Sequence, residues 1–293
     1  MTSSSLESVK LRHPGHSKGL IEVPRWWFLL RLLVRKELRV RYRGSVLGMV
    51  WTYVKPAVQL TVYYLAMGKF MNFNERVDNY VFYLFSGMVI VNLFNEILRN
   101  TTGSIVWNGA LVGKIYLPRE LFPVSSVWVA FIHFLPQVAV LFLFVLVQGW
   151  HPGLSNIVNL FAGVLLVTIA SLGLGLMFAA WNVMFRDAEN LVELIGMVVM
   201  WLTPVFYPWT MVHTVIGGHP WLWALYESNP LVLGTELFHS AFWAPTSGVS
   251  AEMSALPAHF TAWTAASFAT AVALLLLGQL VFRHHEAKFA QEL

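Results

Sequence analysis

The chain has 293 residues, 57% of them hydrophobic and only 12% charged, with a formal net charge of +4 and a mean hydropathy of +0.62. A soluble domain carries about 25% charged residues, so an ordinary soluble enzyme or nucleic-acid-binding protein is excluded. Several apolar stretches reach the ~20 residues that cross a hydrocarbon core, and the absence of cysteine excludes disulfides and thiolate metal sites. The fold class is an all-α polytopic membrane protein.

Residues 1–23 form a polar tail expected to lie in the cytoplasm. They show no apolar core of a cleavable signal peptide, so insertion is expected to use the first true span. From Pro24 the chain reads PRWWFLLRLLVRKELRVRYRGS. Arg31, Arg35, Arg39 and Arg43 recur every fourth residue and share one helical face, while Trp26, Leu29, Leu30, Leu33 and Val40 lie largely away from it. The composition predicts an amphipathic helix over 24–45 lying in the membrane interface. Two roles are open for it: an anchor that reads anionic lipid, and a polar face that touches a cytosolic partner.

A transmembrane domain is expected over 46–293, with six spans at roughly 46–70, 80–98, 121–148, 155–181, 191–207 and 261–282. The fifth is the shortest and is a candidate for a broken or re-entrant helix. An even number of spans puts both termini on one side. Ten basic residues precede the first span, from Lys10 to Arg43, against three acids. Arg99, Lys114, Arg119, Arg186, Arg283 and Lys288 fall on the same side, and the opposite side carries only Lys69 and Arg76. By the positive-inside rule both termini are cytoplasmic; the expected location is the plasma (inner) membrane.

Between spans two and three, the cytoplasmic segment 99–120 is unusually apolar, with Ile105, Trp107, Leu111 and Ile115. It is read either as a short helix docking on a cytosolic protein or as one tucked against the bilayer. Segment 208–260 has no Lys or Arg and is rich in Trp, Gly and Pro. Short re-entrant or interfacial helices fit it better than a solvated loop.

Few residues suggest chemistry. GALVGKI (109–115) has three residues between its glycines where a phosphate-binding loop has four, and Ile follows the lysine, so this chain is not expected to bind a nucleotide. His284, His285 and Glu286 read as a polar helix end rather than a metal cluster. His133 reads as a packed histidine without an acidic partner, and Glu96 as an i,i+3 partner of Arg99. No acid stands near a span's midpoint, which argues against ion-coupled transport. No cofactor and no nucleic-acid partner are expected.

Four ordered blocks, RVRYRGSVLGMVWTYVKPAVQL, LPRELFPVSSV, FRDAENLVELIGMVVMWLTPVFYP and GQLVFRHHEAKFAQEL, are spread over nearly the whole chain. Together they resemble the membrane subunit of ABC-2-type polysaccharide exporters, the permeases of O-antigen, teichoic acid and related glycans. The stretch 24–56 looks most like the actinobacterial galactan-exporter type. The resemblance implies a homodimer with two copies of a separate cytosolic P-loop ATPase, which would hold ATP and Mg, and a lipid-linked glycan passing through a channel. It implies an ATPase contact at roughly 104–116, which selects Ile105, Trp107, Asn108, Leu111, Lys114 and Tyr116. It also matches 24–45 to the family's interface helix and 208–260 to its external helices.

Sugar rings pack their C–H faces on aromatics, which makes Trp51, Tyr53, Tyr63, Tyr64, Trp201, Phe206 and Tyr207 candidate channel residues beside their ordinary roles in packing and at the headgroups. Lys55 lies about 14 Å into the first span at ~1.5 Å per residue, and a lysine near the centre costs on the order of 3 kcal/mol on insertion scales. It either snorkels or faces a wet, protein-lined path, near a pyrophosphate or sugar hydroxyls. Pro56 beside it frees the carbonyl of Thr52. Two other classes compete: an ABC-2 permease for a small hydrophobic drug or lipid, and a membrane-embedded glycan-modifying enzyme, for which Glu227 and Glu236 are poor candidates.

Overall fold

The structure is a computed structural model in which residues 19–114, 117–246 and 260–293 are described. Every regular element among them is helical. The first described elements are a 3-10 turn (Gly19–Trp26) and the helix α1 (Trp27–Tyr42), which covers most of the expected interface helix. Leu30 and Leu33 of α1 are buried, and Trp27 meets Trp128 of the next-described bundle edge-on at 5.5 Å. Arg31, Arg35, Arg39 and Arg43 are all exposed.

The chain turns into the bundle at Gly44 and Gly48, whose φ angles are +76° and +51°. At Gly48 a Cβ would meet no atom within 4 Å, and its left-handed backbone is the reason for glycine. A 3-10 turn (Gly48–Val50), α2 (Trp51–Tyr63) and a π-helical turn (Tyr64–Phe70) then run without a gap. After the short α3 (Phe73–Arg76) comes α4 (Tyr80–Gly103), buried on nearly all sides. A helix apolar all round belongs in the centre of a bundle, and α4 packs on α6 (Leu121–Val147), α7 (Leu154–Met184) and α8 (Ala188–Leu202). Between α4 and α6 lie a 3-10 turn (Val106–Asn108) and α5 (Gly109–Val112).

Three short helices follow α8: α9 (Trp209–Ile216), α10 (Pro220–Glu227) and α11 (Pro230–Phe238). Proline starts α10 and α11, where its missing N–H costs nothing, and the Asn229 side chain caps α11 by accepting from the Leu231 N–H at 3.0 Å. Trp209, Trp223 and Trp263 form one aromatic cluster beneath them, with centroids 5.4–6.3 Å apart. The expected broken external segment is thus a set of short packed helices. The chain ends in α12 (Phe260–Glu286) and α13 (Phe289–Glu292).

Among the described residues, four helices are long and apolar enough to cross a membrane: α4, α6, α7 and α12. They match four of the six expected spans closely. The other two are segmented. The first consists of the three helical types over 48–70. The fifth, expected over 191–207, is α8, which has 15 residues; at ~1.5 Å per residue that is about 22 Å, short of a ~30 Å hydrocarbon core. Pro204 breaks it, and tyrosines of α4 accommodate the freed carbonyls. Tyr80 donates to the Phe206 oxygen at 2.8 Å, and Tyr83 lies 2.7 Å and 2.9 Å from those of Pro204 and Tyr207.

Candidate functional site

Helices α2, α4, α6 and α8 each turn one face to a shared cleft of about 1110 Å³, closed on one side by the end of α1 and by Trp107. From α2 come Trp51, Thr52, Lys55, Pro56, Gln59 and Tyr63, recurring at fourfold spacing. From α4 come Asn92, Asn95, Glu96, Arg99 and Asn100, from α6 His133 and Gln137, and from α8 Val192, Glu193, Gly196, Met197, Met200 and Trp201. Five side-chain amides therefore line a space inside an otherwise apolar bundle. The Asn95 Oδ1 and Gln137 Oε1 atoms are buried and accept no hydrogen bond, which leaves acceptors for a ligand's hydroxyls or for water.

Two of the cleft's charged groups, Arg41 and Glu96, belong to one network with Tyr42, Asn100 and His133. Glu96 Oε1 receives Arg41 Nη1 at 2.9 Å, pairs closely with His133 Nδ1, and is 3.4 Å from Asn100 Nδ2. Arg41 Nη2 donates to Asn100 Oδ1 at 2.9 Å, and the Tyr42 hydroxyl lies 2.8 Å from His133 Nε2. With Nδ1–H facing Glu96, Nε2 is free to accept from Tyr42. Lys55 and Arg99 make no hydrogen bond or ion pair among the described residues.

Two sequence expectations are corrected here. His133 does have an acidic partner, and Glu96 pairs with Arg41 and His133 rather than with Arg99. These partners lie 37 and 55 positions from Glu96, so no local spacing could have announced them. Arg41 also stands off the arginine stripe that drew attention to α1.

Of the expected channel residues, Trp51, Lys55, Tyr63 and Trp201 line the cleft. Tyr53 is exposed on α2 outside it. Tyr64 packs partly buried on the core, over Gly68. Phe206 is 1% exposed and holds Tyr63 edge-on at 4.9 Å and Trp201 at 4.6 Å. Tyr207 donates its hydroxyl to the Trp201 carbonyl. The last two thus support lining residues from behind.

Of the expected contact segment, Trp107 and Lys114 are exposed and Leu111 is half-buried, whereas Ile105 and Asn108 are buried; Tyr116 lies outside the described residues. Asn108 is held by Lys36 of α1 and donates to the Ser104 carbonyl at 2.8 Å. The interface helix and the loop before α6 are therefore fastened to each other. No group of three or more metal-ligating side chains occurs among the described residues.

The family model for the ABC-2 type transporter matches residues 29–243, which hold all the walls of the cleft. The chain is similar to the O-antigen export system permease protein RfbA of Klebsiella pneumoniae, at 29% identity over 184 residues, 63% of this chain and 70% of that one. It is similar to RfbA of Myxococcus xanthus, at 30% over 186 residues, 61% of this chain and 68% of that one. It also resembles the polysialic acid transport protein KpsM of Escherichia coli, at 24% over 214 residues, 71% of this chain and 79% of that one.

Proposed function

The chain belongs to the ABC-2 type transporter family, and from that premise we propose that it is the channel-forming permease subunit of an ATP-driven exporter of a lipid-linked polysaccharide. The glycan, an O-antigen or a galactan on an undecaprenyl diphosphate carrier, moves from the cytoplasm across the plasma membrane. The names of the relatives support polysaccharide export. One feature of the cleft carries the reading to this chain: five amides and the rings of Trp51, Tyr63 and Trp201 share its wall. Amides hydrogen-bond hydroxyls, and aromatic faces pack on sugar C–H surfaces. A path for a small hydrophobic drug or lipid needs no such amides, and leaving the Asn95 and Gln137 oxygens buried and unpaired in an apolar bundle is costly.

The working assembly in this reading is a homodimer with two copies of a cytosolic ATPase that holds ATP and Mg. The exposed apolar faces of α2 and α8, including Val58, Val62, Leu194 and Val198, suit a second copy of the chain or lipid. In this reading the ATPase contact uses Trp107, Leu111 and Lys114; the exposure of Trp107 and Lys114 and the Lys36–Asn108 tie behind them support it. The basic residues around α1 support a cytoplasmic side for both termini. Depletion of the protein in its native cell tests the reading. A lipid-linked glycan stalled on the cytoplasmic face of the membrane is the expected result. Normal surface glycan with no stalled intermediate overturns it in favour of the drug or lipid exporter.

A further inference from the structure

The Glu96 network is built like an anion site that already holds an anion. Arg41 Nη1 and His133 Nδ1 lie 3.2 Å apart and both face the same carboxylate oxygen. Asn100 fixes the second arm of the Arg41 guanidinium, and Tyr42 fixes the far side of the imidazole. His133 is 4% exposed, so its ring is immobilised, whereas Glu96 keeps a partly open side chain at 21%. His133 is thus the fixed donor, while Arg41, its side chain 31% exposed and held through Asn100, and Glu96 are the more open members. Glu96 also has a second place to go. Arg99 lies three residues on along the same helix, on the same wall, and makes no ion pair among the described residues.

We infer that Arg41 and His133 form the headgroup site for a diphosphate, and that Glu96 is its built-in competitor, displaced toward Arg99 when the diphosphate binds. This rests on the export reading above. A diphosphate brings more charge and more acceptor oxygens than one carboxylate, and a guanidinium fork binds phosphate in bidentate fashion. Lys55, without an ion pair among the described residues, stands on the same cleft to meet the remaining oxygens, while Arg99 receives the displaced Glu96. Because Arg41 and Tyr42 end α1 and Glu96 and His133 belong to α4 and α6, the exchange also loosens the tie between the interface helix and the bundle. The competitor keeps the site from binding stray single phosphates tightly, since a weaker anion cannot displace it.

The test is direct binding to the full chain in phosphatidylcholine nanodiscs, by thermophoresis, with farnesyl diphosphate, farnesyl monophosphate and inorganic pyrophosphate as probes. Farnesyl diphosphate is expected to bind more tightly than the monophosphate, and Arg41→Gln to weaken it by about tenfold or more. Glu96→Gln is expected to tighten it by about threefold or more, because a partly exposed competitor is removed. Glu96→Asp keeps the charge but shortens its reach and is expected to tighten binding too, so the test survives a misfolded Glu96→Gln. A gain in affinity is not what structural damage produces. Preference for farnesyl diphosphate over pyrophosphate supports a lipid headgroup as ligand; equal affinity supports the site with free diphosphate as ligand. Monophosphate binding as tight as diphosphate overturns the inference, as does unchanged or weaker diphosphate binding in both Glu96 variants at unaltered melting temperature. Failure to bind diphosphate in a chain whose depletion still stalls a lipid-linked glycan overturns this inference alone. Absence of the stalled glycan overturns the export reading whatever the binding result.

Discussion

Gly278 of α12 lies against the carbonyl of Gly173 on α7, so closely that a Cβ on Gly278 would stand 2.0 Å from that oxygen. The reverse holds as well, since a Cβ on Gly173 would lie 2.5 Å from the backbone of Leu274 and Leu275. Inside a bilayer no hydrophobic effect draws helices together, and close backbone approach at small residues supplies the packing instead. The obstacle in both cases is backbone, which cannot swing aside. Gly278→Ala is therefore expected to cost at least about 1–3 kcal/mol, the usual range for overpacking. A fall in melting temperature and in the yield of monodisperse purified protein checks it; a variant that melts with the parent refutes the contact.

Sequence made the fold legible where a single helix carries a single signal. Four long apolar runs are four long helices with ends within a few residues of expectation, because nothing but uninterrupted hydrogen bonding lets such a run cross lipid. The fifth span broke where its backbone is completed by another element: the turn after α8 depends on the hydroxyls of Tyr80 and Tyr83, more than a hundred positions away. The same limit explains the site. The cleft-facing positions of Trp51, Lys55 and Tyr63 follow from their spacing on one helix, and the oddity of Lys55 in a span drew attention to it. Arg41, Glu96 and His133 come from three helices, and each looks ordinary in its own neighbourhood. Only packing makes them a network.

Glu37 gives a pH-dependent prediction outside the spans. Its carboxylate accepts from Ser125 at 2.9 Å on the inner side of α1. Burial pushes its pKa above the ordinary 4.5, outweighing the opposing pull of the Ser125 hydrogen bond, Arg41 and Lys36. A carboxyl with a raised folded pKa binds more protons in the folded state, so stability falls as pH rises from about the unfolded value through the folded one. Glu37→Gln keeps an acceptor for Ser125 and removes the buried charge. It is expected to raise the melting temperature at pH 7, with the gain disappearing as the pH is brought down to 4.5 and below. A variant that is less stable than the parent at pH 7 contradicts this.

Phe289 ties the end of the chain to the loop between α4 and α6. It is 1% exposed, meets Phe282 edge-on at 5.2 Å, and lies beneath the Arg119 guanidinium at 5.6 Å. Leu293 at the end of the same short segment packs beside Gly109, the first residue of α5. Phe289→Ala removes the anchor and is expected to cost about 3–5 kcal/mol locally. Because α5 has only four residues, the loss should show as faster hydrogen exchange across 105–114 while α4 and α7 stay protected. Uniform acceleration in all helices would instead mean that the substitution unfolds the whole chain.

Lys55 allows the functional and structural consequences of one substitution to be separated by sign. Its side chain stands exposed on the cleft wall and holds no partner among the described residues that would be stranded by its removal. Methionine preserves the apolar stem and relieves an insertion cost on the order of 3 kcal/mol for a charge near mid-span. Lys55→Met is thus expected to insert and fold at least as well as the parent. If the ammonium meets the substrate's diphosphate or hydroxyls, the same variant accumulates lipid-linked glycan on the cytoplasmic face, and Lys55→Arg restores most of the export. Membrane abundance of the protein and surface glycan, measured in the same cells, give both readouts. Normal surface glycan in Lys55→Met cells removes Lys55 from the substrate path and leaves it a lysine that only reaches for water.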